Sequence, residues 1–189
     1  MLKEITREKK QKENKKRRIR TLDLALISLF AAIISILSLI SIPFAIPFSM
    51  QSLGILFALA FLGGNRGTLS ILIYLTLGAV GLPIFAGANG GVAAFVGPTG
   101  GFLVGWLIAG LCAILVEATV KNSRAAKILS LSFSLAISYA MGTAWYVIYL
   151  GGLGSISVWS ALLTCVLPFR PFDVLKLVLA YKISNKIKK

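Results

Sequence analysis

The chain contains no histidine. That absence removes the side chain most used as a general base and as a metal ligand near neutral pH. Cysteine is nearly absent too. Cys112 and Cys165 stand 53 positions apart in apolar sequence, too few for a disulfide framework and not at metal-ligand spacing. They read as small buried apolar side chains. Charge is the third shortage. Only 14% of the 189 residues are charged, against about 25% in an average soluble domain. The shortfall is concentrated: residues 24–65, 67–116 and 128–169 carry no Asp, Glu, Lys or Arg. A soluble fold needs a solvated face, and these stretches leave almost nothing to build one. A soluble globular domain, a disordered chain and a secreted disulfide module are excluded. An all-α, polytopic membrane protein remains, and the length allows one domain.

The charge that is present is mostly basic and clustered. Ten of the 20 Lys and Arg residues lie in the first 20 positions, where Glu4, Glu8 and Glu13 bring the local net to +7. A nucleic-acid binder needs a basic stripe on a folded surface; here the clusters alternate with apolar runs and read as topology signals. The run from Leu22 to Ile42, about 20 residues long, suits a bilayer span better than the shorter core of a signal peptide. Residues 1–20 are thus expected to be a basic cytoplasmic tail, able to attract anionic lipid. Residues 21–189 are expected to be a six-helix membrane domain.

The remaining spans are expected at about 50–63, 68–80, 101–119 and 125–150, with a tight turn at Gly63-Gly64-Asn65-Arg66-Gly67 between the second and third. The last span has two placements. One runs from about 158 to 182 and sets Arg170, Asp173 and Lys176 near mid-membrane. The other makes 156–167 an outer interfacial segment and begins the helix at Pro171. The second fits better: proline favours the first helical position, the residue before it avoids helical dihedrals, and Asp173 then meets the positive end of the helix dipole. The inner connections carry Arg66, then Lys121, Arg124 and Lys127, while the outer ones, 43–49, 81–99 and the start of 151–167, carry no charge. Both termini are therefore expected in the cytoplasm.

Small residues recur at four-residue spacing, Gly101, Gly105, Ala109 and Ala113 in one helix and Ala126, Ser130, Ser134, Ser138 and Gly142 in the next. Such faces let membrane helices approach closely, here most simply within the bundle. In the first helix Ser28 and Ala32, beside Ala31 and Ser35, form a shorter patch open to two readings, internal packing or docking of a partner.

Chemistry is concentrated in two places. Residues 81–101 hold seven glycines, two prolines and no charge. Such a backbone cannot be lipid-exposed, and a structured loop presenting N–H and C=O groups to a ligand is favoured over a free external loop. Near the C-terminus Arg170, Asp173 and Lys176 crowd into seven residues. Ionisable groups at membrane depth usually mark a site, although Asp173 and Lys176, at i and i+3, can equally form a mutual salt bridge. Asp23 and Glu117 lie near cytoplasmic helix ends and read as solvated or paired. Gln51, Tyr74, Asn89 and Thr99 are the polar side chains able to join an outward-facing pocket walled by Phe48, Phe85, Phe95 and Trp106. An apolar ligand with a hydrogen-bonding head and an anionic tail suits such a pocket. Catalytic and metal-binding constellations are absent from the sequence, as is a phosphate-binding loop. The chain reads as a substrate-binding membrane subunit that borrows energy from partners. A small intramembrane enzyme is the less favoured alternative.

Residues 42–106 resemble the BioY family, the biotin-specific S components of energy-coupling factor (ECF) transporters. The specific parts are Pro47 through Gln51, Gly78-x-x-Gly81-Leu82-Pro83-Ile84-Phe85, Gly90-Gly91 and Gly97-Pro98-Thr99-Gly100-Gly101. Near the C-terminus Pro171-Phe172-Asp173-Val174-Leu175-Lys176 resembles that family's Pro-x-Asp-x-x-Lys. The resemblance covers about residues 22–187. It implies a six-helix bundle of the ECF S-component type that binds biotin from outside. It also implies docking on one transmembrane coupling subunit and two ATP-binding subunits, with no cofactor beyond the transported biotin. By resemblance, Asn89 and Asp173 serve the ureido head and Lys176 its polar end or partner, with Gln51, Tyr74, Thr99, Gly90 and Gly91 secondary. Phe102 and Leu103 follow GPTGG, which leaves the ligand carboxylate to Arg170, Lys176 or backbone N–H groups. Ser28 and Ala32 resemble the Ala-x-x-x-Ala element that S components present to the coupling subunit. An S component for another vitamin or a modified base is the nearer alternative.

Overall fold

The computed structural model describes residues 21–43, 46–120, 123–151 and 157–187. The expected cytoplasmic tail, 1–20, and Lys121, Lys188 and Lys189 lie outside the described residues. Among the described residues six helices build the bundle: α1 (Thr21–Leu39), α2 (Gln51–Leu62), α3 (Gly64–Ala79), α5 (Gly100–Thr119), α6 (Ser123–Tyr149) and α8 (Arg170–Ile187). Two short helices, α4 (Ala93–Val96) and α7 (Val158–Cys165), lie in the connections. Among the described residues three helices, Thr21–Leu39, Gly100–Thr119 and Arg124–Tyr149, are long and apolar enough to cross a bilayer. Consecutive bundle helices run in opposite directions. Asp23 on α1 meets Arg66 on α3 at one end, and Ser38 meets Tyr74 at the other. We call these the basic end and the cleft end.

Many large apolar side chains face outward from the bundle, as a lipid surrounding requires. On α1, Ile27, Phe30, Ala31, Ile34 and Ser38 are buried along one stripe, while Leu22, Leu24, Leu29 and Ile36 on the other faces are exposed. Within lipid, apolar side chains gain little by moving inward, so close packing and internal hydrogen bonds must hold the helices together. The two small-residue stripes do this against each other. Gly101 on α5 lies against Trp145 and Met141 on α6, and a Cβ at Gly105 would come within 3.1 Å of Met141 and 3.2 Å of Ser138. Ser134 donates to the Ala109 carbonyl at 3.3 Å. The bundle-packing reading of both stripes is therefore correct. α3 crosses α5 as closely: a Cβ on Gly64 would lie 2.9 Å from the Ile114 backbone.

Four details differ from the sequence reading. α1 ends at Leu39 rather than Ile42, and Ser41–Ile42 pairs antiparallel with Phe48–Ser49 as a two-residue ladder, β1 with β2. The turn before α3 is tighter than expected: Gly63 alone takes it, at φ +82°, and Gly64 already belongs to the helix. The Glu117 carboxylate accepts the Gly64 N–H at 2.7 Å, satisfying an orphan donor of the first turn. Glu117 and Asp23 are thus both engaged at the basic end. Finally, α8 begins at Arg170, one residue before Pro171, with Asp173 in its first turn. The preceding α7 starts where the Ser157 side chain accepts the Trp159 N–H, so α7 and α8 are separate helices rather than one span from 158 to 182.

Candidate functional site

The loop of residues 81–99 is structured. Phe85 and Asn89 form an isolated antiparallel bridge, and Phe85 packs onto Gly78, edge-on to Tyr74 at 5.4 Å and to Phe95 at 5.6 Å. Gly91, at φ +84°, donates its N–H to the Gly78 carbonyl at 2.7 Å, which ties the loop to the end of α3. Between this loop, the β1–β2 ladder and the starts of α2 and α8 lies a cleft of about 660 Å³ of free space, its open mouth included. Gln51, Ser52, Trp106, Tyr139, Asp173 and Lys176 line it. A second cleft abuts it along Pro47, Phe85, Ala86 and Thr99, and Asn89 and Gly90 line that one.

Asp173 and Lys176 form a buried ion pair at 2.9 Å, with only 6% and 4% of each residue exposed. Their environment explains how two charges survive there. Lys176 Nζ also donates to the Ser49 carbonyl at 2.8 Å and to Ser52 Oγ at 3.0 Å. It lies 4.1 Å above the centre of the Phe48 ring, a cation–π contact. Asp173 Oδ1 accepts from Ser52 Oγ at 2.8 Å, and Oδ2 from the Tyr139 hydroxyl at 2.6 Å. Phe48 is itself held by Phe169, stacked at 5.4 Å, and by Phe172. Buried ions cost several kcal/mol each to desolvate, which geometry of this completeness offsets.

The expected site residues therefore separate. Asp173, Lys176, Gln51 and Thr99 line the deep cleft; Asn89 and Gly90 line only its neighbour. Asn89 is exposed, and its Nδ2 donates to the Ala86 carbonyl at 3.0 Å. Tyr74 is wholly buried and bonds Ser38 at 2.9 Å without lining either cleft. Gly91 shapes the loop rather than a wall. Arg170 is exposed and lines neither cleft. Gln51 accepts a long 3.5 Å bond from Ser38, and its Nε2 is buried with no partner among the described residues. Sequence reasoning missed Ser52 and Tyr139. The available signal for Tyr139 was a hydroxyl in mid-helix next to Ser138 of the small-residue stripe.

These features place the chain among known proteins. The BioY family model matches residues 9–189. The chain belongs to the BioY family. It is 40% identical over 179 residues to a biotin transporter BioY of Rhizobium etli, covering 88% of this chain and 93% of that one. It is 37% identical over 177 residues to that of Rhodobacter capsulatus, covering 87% and 92%. A solved structure, the S-component for biotin from an ECF-type ABC transporter, superimposes with a TM-score of 0.73 at 29% identity. That match covers 88% of this chain and 90% of the other. The six-helix bundle is thus that of an ECF S component, and the chain is a membrane protein of a transporter family.

The buried pair gives a stability test. Lys176→Met leaves Asp173 buried without its cation and is expected to cost about 3–5 kcal/mol, whereas the double variant Lys176→Met with Asp173→Leu recovers most of that loss. Thermal unfolding of the detergent-purified proteins checks this; a double variant no more stable than the single one contradicts it.

Proposed function

We propose that this chain is the high-affinity biotin-binding S component of an ECF-type, ATP-driven vitamin importer. The observation that carries the reading is the match to the biotin S-component structure along nearly the whole chain, with a polar-headed apolar cleft at one end of the bundle. It binds biotin from the extracellular side and passes it inward with a transmembrane coupling subunit and two ATP-binding subunits. The chain catalyses no reaction and holds no resident cofactor, biotin being its cargo. Asp173 serves the ureido head, and Lys176 acts as its partner, because all three ammonium protons are already engaged. Gln51 Nε2, buried without a partner, supports a donor to the ligand from α2. Asn89 and Gly90, across the shared wall at Thr99, meet the far end of the ligand. The expected basis for holding the carboxylate is then the loop backbone or Arg170 at the rim.

Biotin binding to the purified chain is the direct test, with the co-purified ligand identified by mass spectrometry. Affinity of micromolar or tighter is expected, and Asp173→Asn is expected to weaken it by about 1–3 kcal/mol, the cost of an unsatisfied buried polar partner. Wild-type affinity in that variant makes the pair purely structural.

The basic end lies in the cytoplasm in this reading, since it carries Arg66, Arg124 and Lys127 while loops 43–49 and 81–99 carry no charge. A cysteine introduced as Asn89→Cys should react with an impermeant thiol reagent on intact cells, and Arg124→Cys only after lysis; the reverse pattern inverts the topology.

The coupling subunit docks on α1. Ser28 and Ala32 are exposed on the face turned away from buried Ile27, Ala31 and Ile34, which suits close approach by a second helix. Ala32→Trp should abolish biotin uptake in cells while leaving binding to the purified chain unchanged. Normal uptake removes α1 from the interface.

A further inference from the structure

The wall of the deep cleft made by Asp173 and Tyr139 has a one-way hydrogen-bonding character. An ammonium has three donors and no acceptor. Those of Lys176 go to the Ser49 carbonyl, Ser52 Oγ and Asp173 Oδ1. The Ser52 hydroxyl proton goes to Asp173 Oδ1 as well. Tyr139 has a single proton, and it goes to Asp173 Oδ2 at 2.6 Å, the one hydrogen bond Tyr139 makes among the described residues. A carboxylate oxygen accepts up to about two bonds: Oδ1 already takes two and Oδ2 takes one. Every proton in this cluster is therefore spoken for. What the cluster still offers the cleft is acceptors, the second site on Asp173 Oδ2 and the lone pairs of the Tyr139 hydroxyl oxygen. Both residues line the cleft.

We propose that Tyr139 is a specificity-determining residue whose hydroxyl oxygen, its proton held by Asp173, accepts a hydrogen bond from an N–H of the ligand. This deepens the biotin reading and rests on it. The head of biotin is a cyclic urea with two N–H donors beside one carbonyl. The two acceptors, 2.6 Å apart, are close enough to share one such N–H in a three-centre bond. A group that brings a lone pair to this wall, such as a thioether, an ether or an ester oxygen, finds no donor there and leaves two acceptors unsatisfied. Rejection of that kind is stronger than rejection by shape alone. Tyr139 thus does two things: it helps fix the ionised carboxylate, and it doubles the number of acceptors the ligand meets.

Isothermal titration of the purified full-length chain tests this with biotin and with the two analogues methylated on one or the other ureido nitrogen. In the wild type, methylation of the nitrogen facing Tyr139 should weaken binding about 10-fold or more, the worth of a buried hydrogen bond. In Tyr139→Phe, biotin should bind about 10-fold more weakly, and the methylation penalty should shrink to a few-fold. A role through Asp173 alone predicts otherwise: biotin weakens but the methylation penalty stays whole, which overturns the assignment. Wild-type affinity for biotin in Tyr139→Phe overturns it too. Should that variant fail to fold, Tyr139→Met takes its place in the same comparison, and tolerance of methylation at both nitrogens in the wild type overturns the proposal by itself. Failure of the wild type to bind biotin at all overturns the functional reading, and is seen in the first titration before any analogue is used.

Discussion

The cleft end of the bundle is organised by one ion pair, Asp173 with Lys176. Through it, four elements, β2, α2, α6 and α8, are bound together. Lys176 holds the β2 backbone at Ser49 and the first turn of α2 at Ser52, and Asp173 holds α6 through the Tyr139 hydroxyl. A pair of charges in a low-dielectric interior is stable only when each lone pair and proton has a partner, and membrane depth raises that demand. The aromatic collar of Phe48, Phe169 and Phe172 excludes water from one side of the ammonium and lends it a ring face. The same collar fixes the ladder that roofs the cleft. Position, charge and wall shape here are one constraint.

That constraint works only on a frame that does not shift. In a bilayer, helix association rests on contact and hydrogen bonding rather than on escape from water. The frame follows that rule. Backbones of α5 and α6 meet where glycine and serine leave room, and buried hydroxyls return to main-chain carbonyls, Ser134 to Ala109, Ser184 to Ala60 and Thr68 to Gly64. The Ser184 bond ties α8 to α2 eleven residues beyond Asp173 on the same two helices that meet at Ser52. The register of Asp173 against Ser52 is thereby pinned at both ends. At the basic end Asp23 with Arg66, and Glu117 with the Gly64 N–H, fasten α1, α3 and α5.

Much of this was legible in the sequence because the bilayer reduces folding to a few strong rules. Long stretches without charge located the spans. Proline at 171 and the acid at 173 located the start of α8 to within a residue. The buried pair was legible because ionisable side chains in apolar sequence are rare. What escaped is what depends on residues far apart in the chain. Gly64 begins a helix because Glu117, 53 positions later, caps it, and no local pattern around Gly63 announces that. The β1–β2 ladder has two residues a side, too short to leave a periodic signal. Tyr139 gains its meaning from Asp173, 34 positions away. Asn89 and Asp173 were grouped by polarity and by family resemblance, and folding puts them on neighbouring clefts, because Asn89 is taken up in the bridge to Phe85 and in the turn to Ala86.

The closed network also bears on the orientation of a bound ligand. With Lys176 neutralised by Asp173, the deep cleft carries no net charge, and its ammonium has no free donor to greet an anion. A carboxylate driven into it would lose its hydration without gaining a counter-ion, a loss of several kcal/mol. A neutral cyclic urea loses far less and meets acceptors for its N–H groups. On the proposed reading, biotin therefore enters head first, and its anionic end remains toward the rim, where loop amides and solvent are within reach. Affinity and direction then have a common origin: the pair that is too fully satisfied to bind a charge is suited to select a neutral donor.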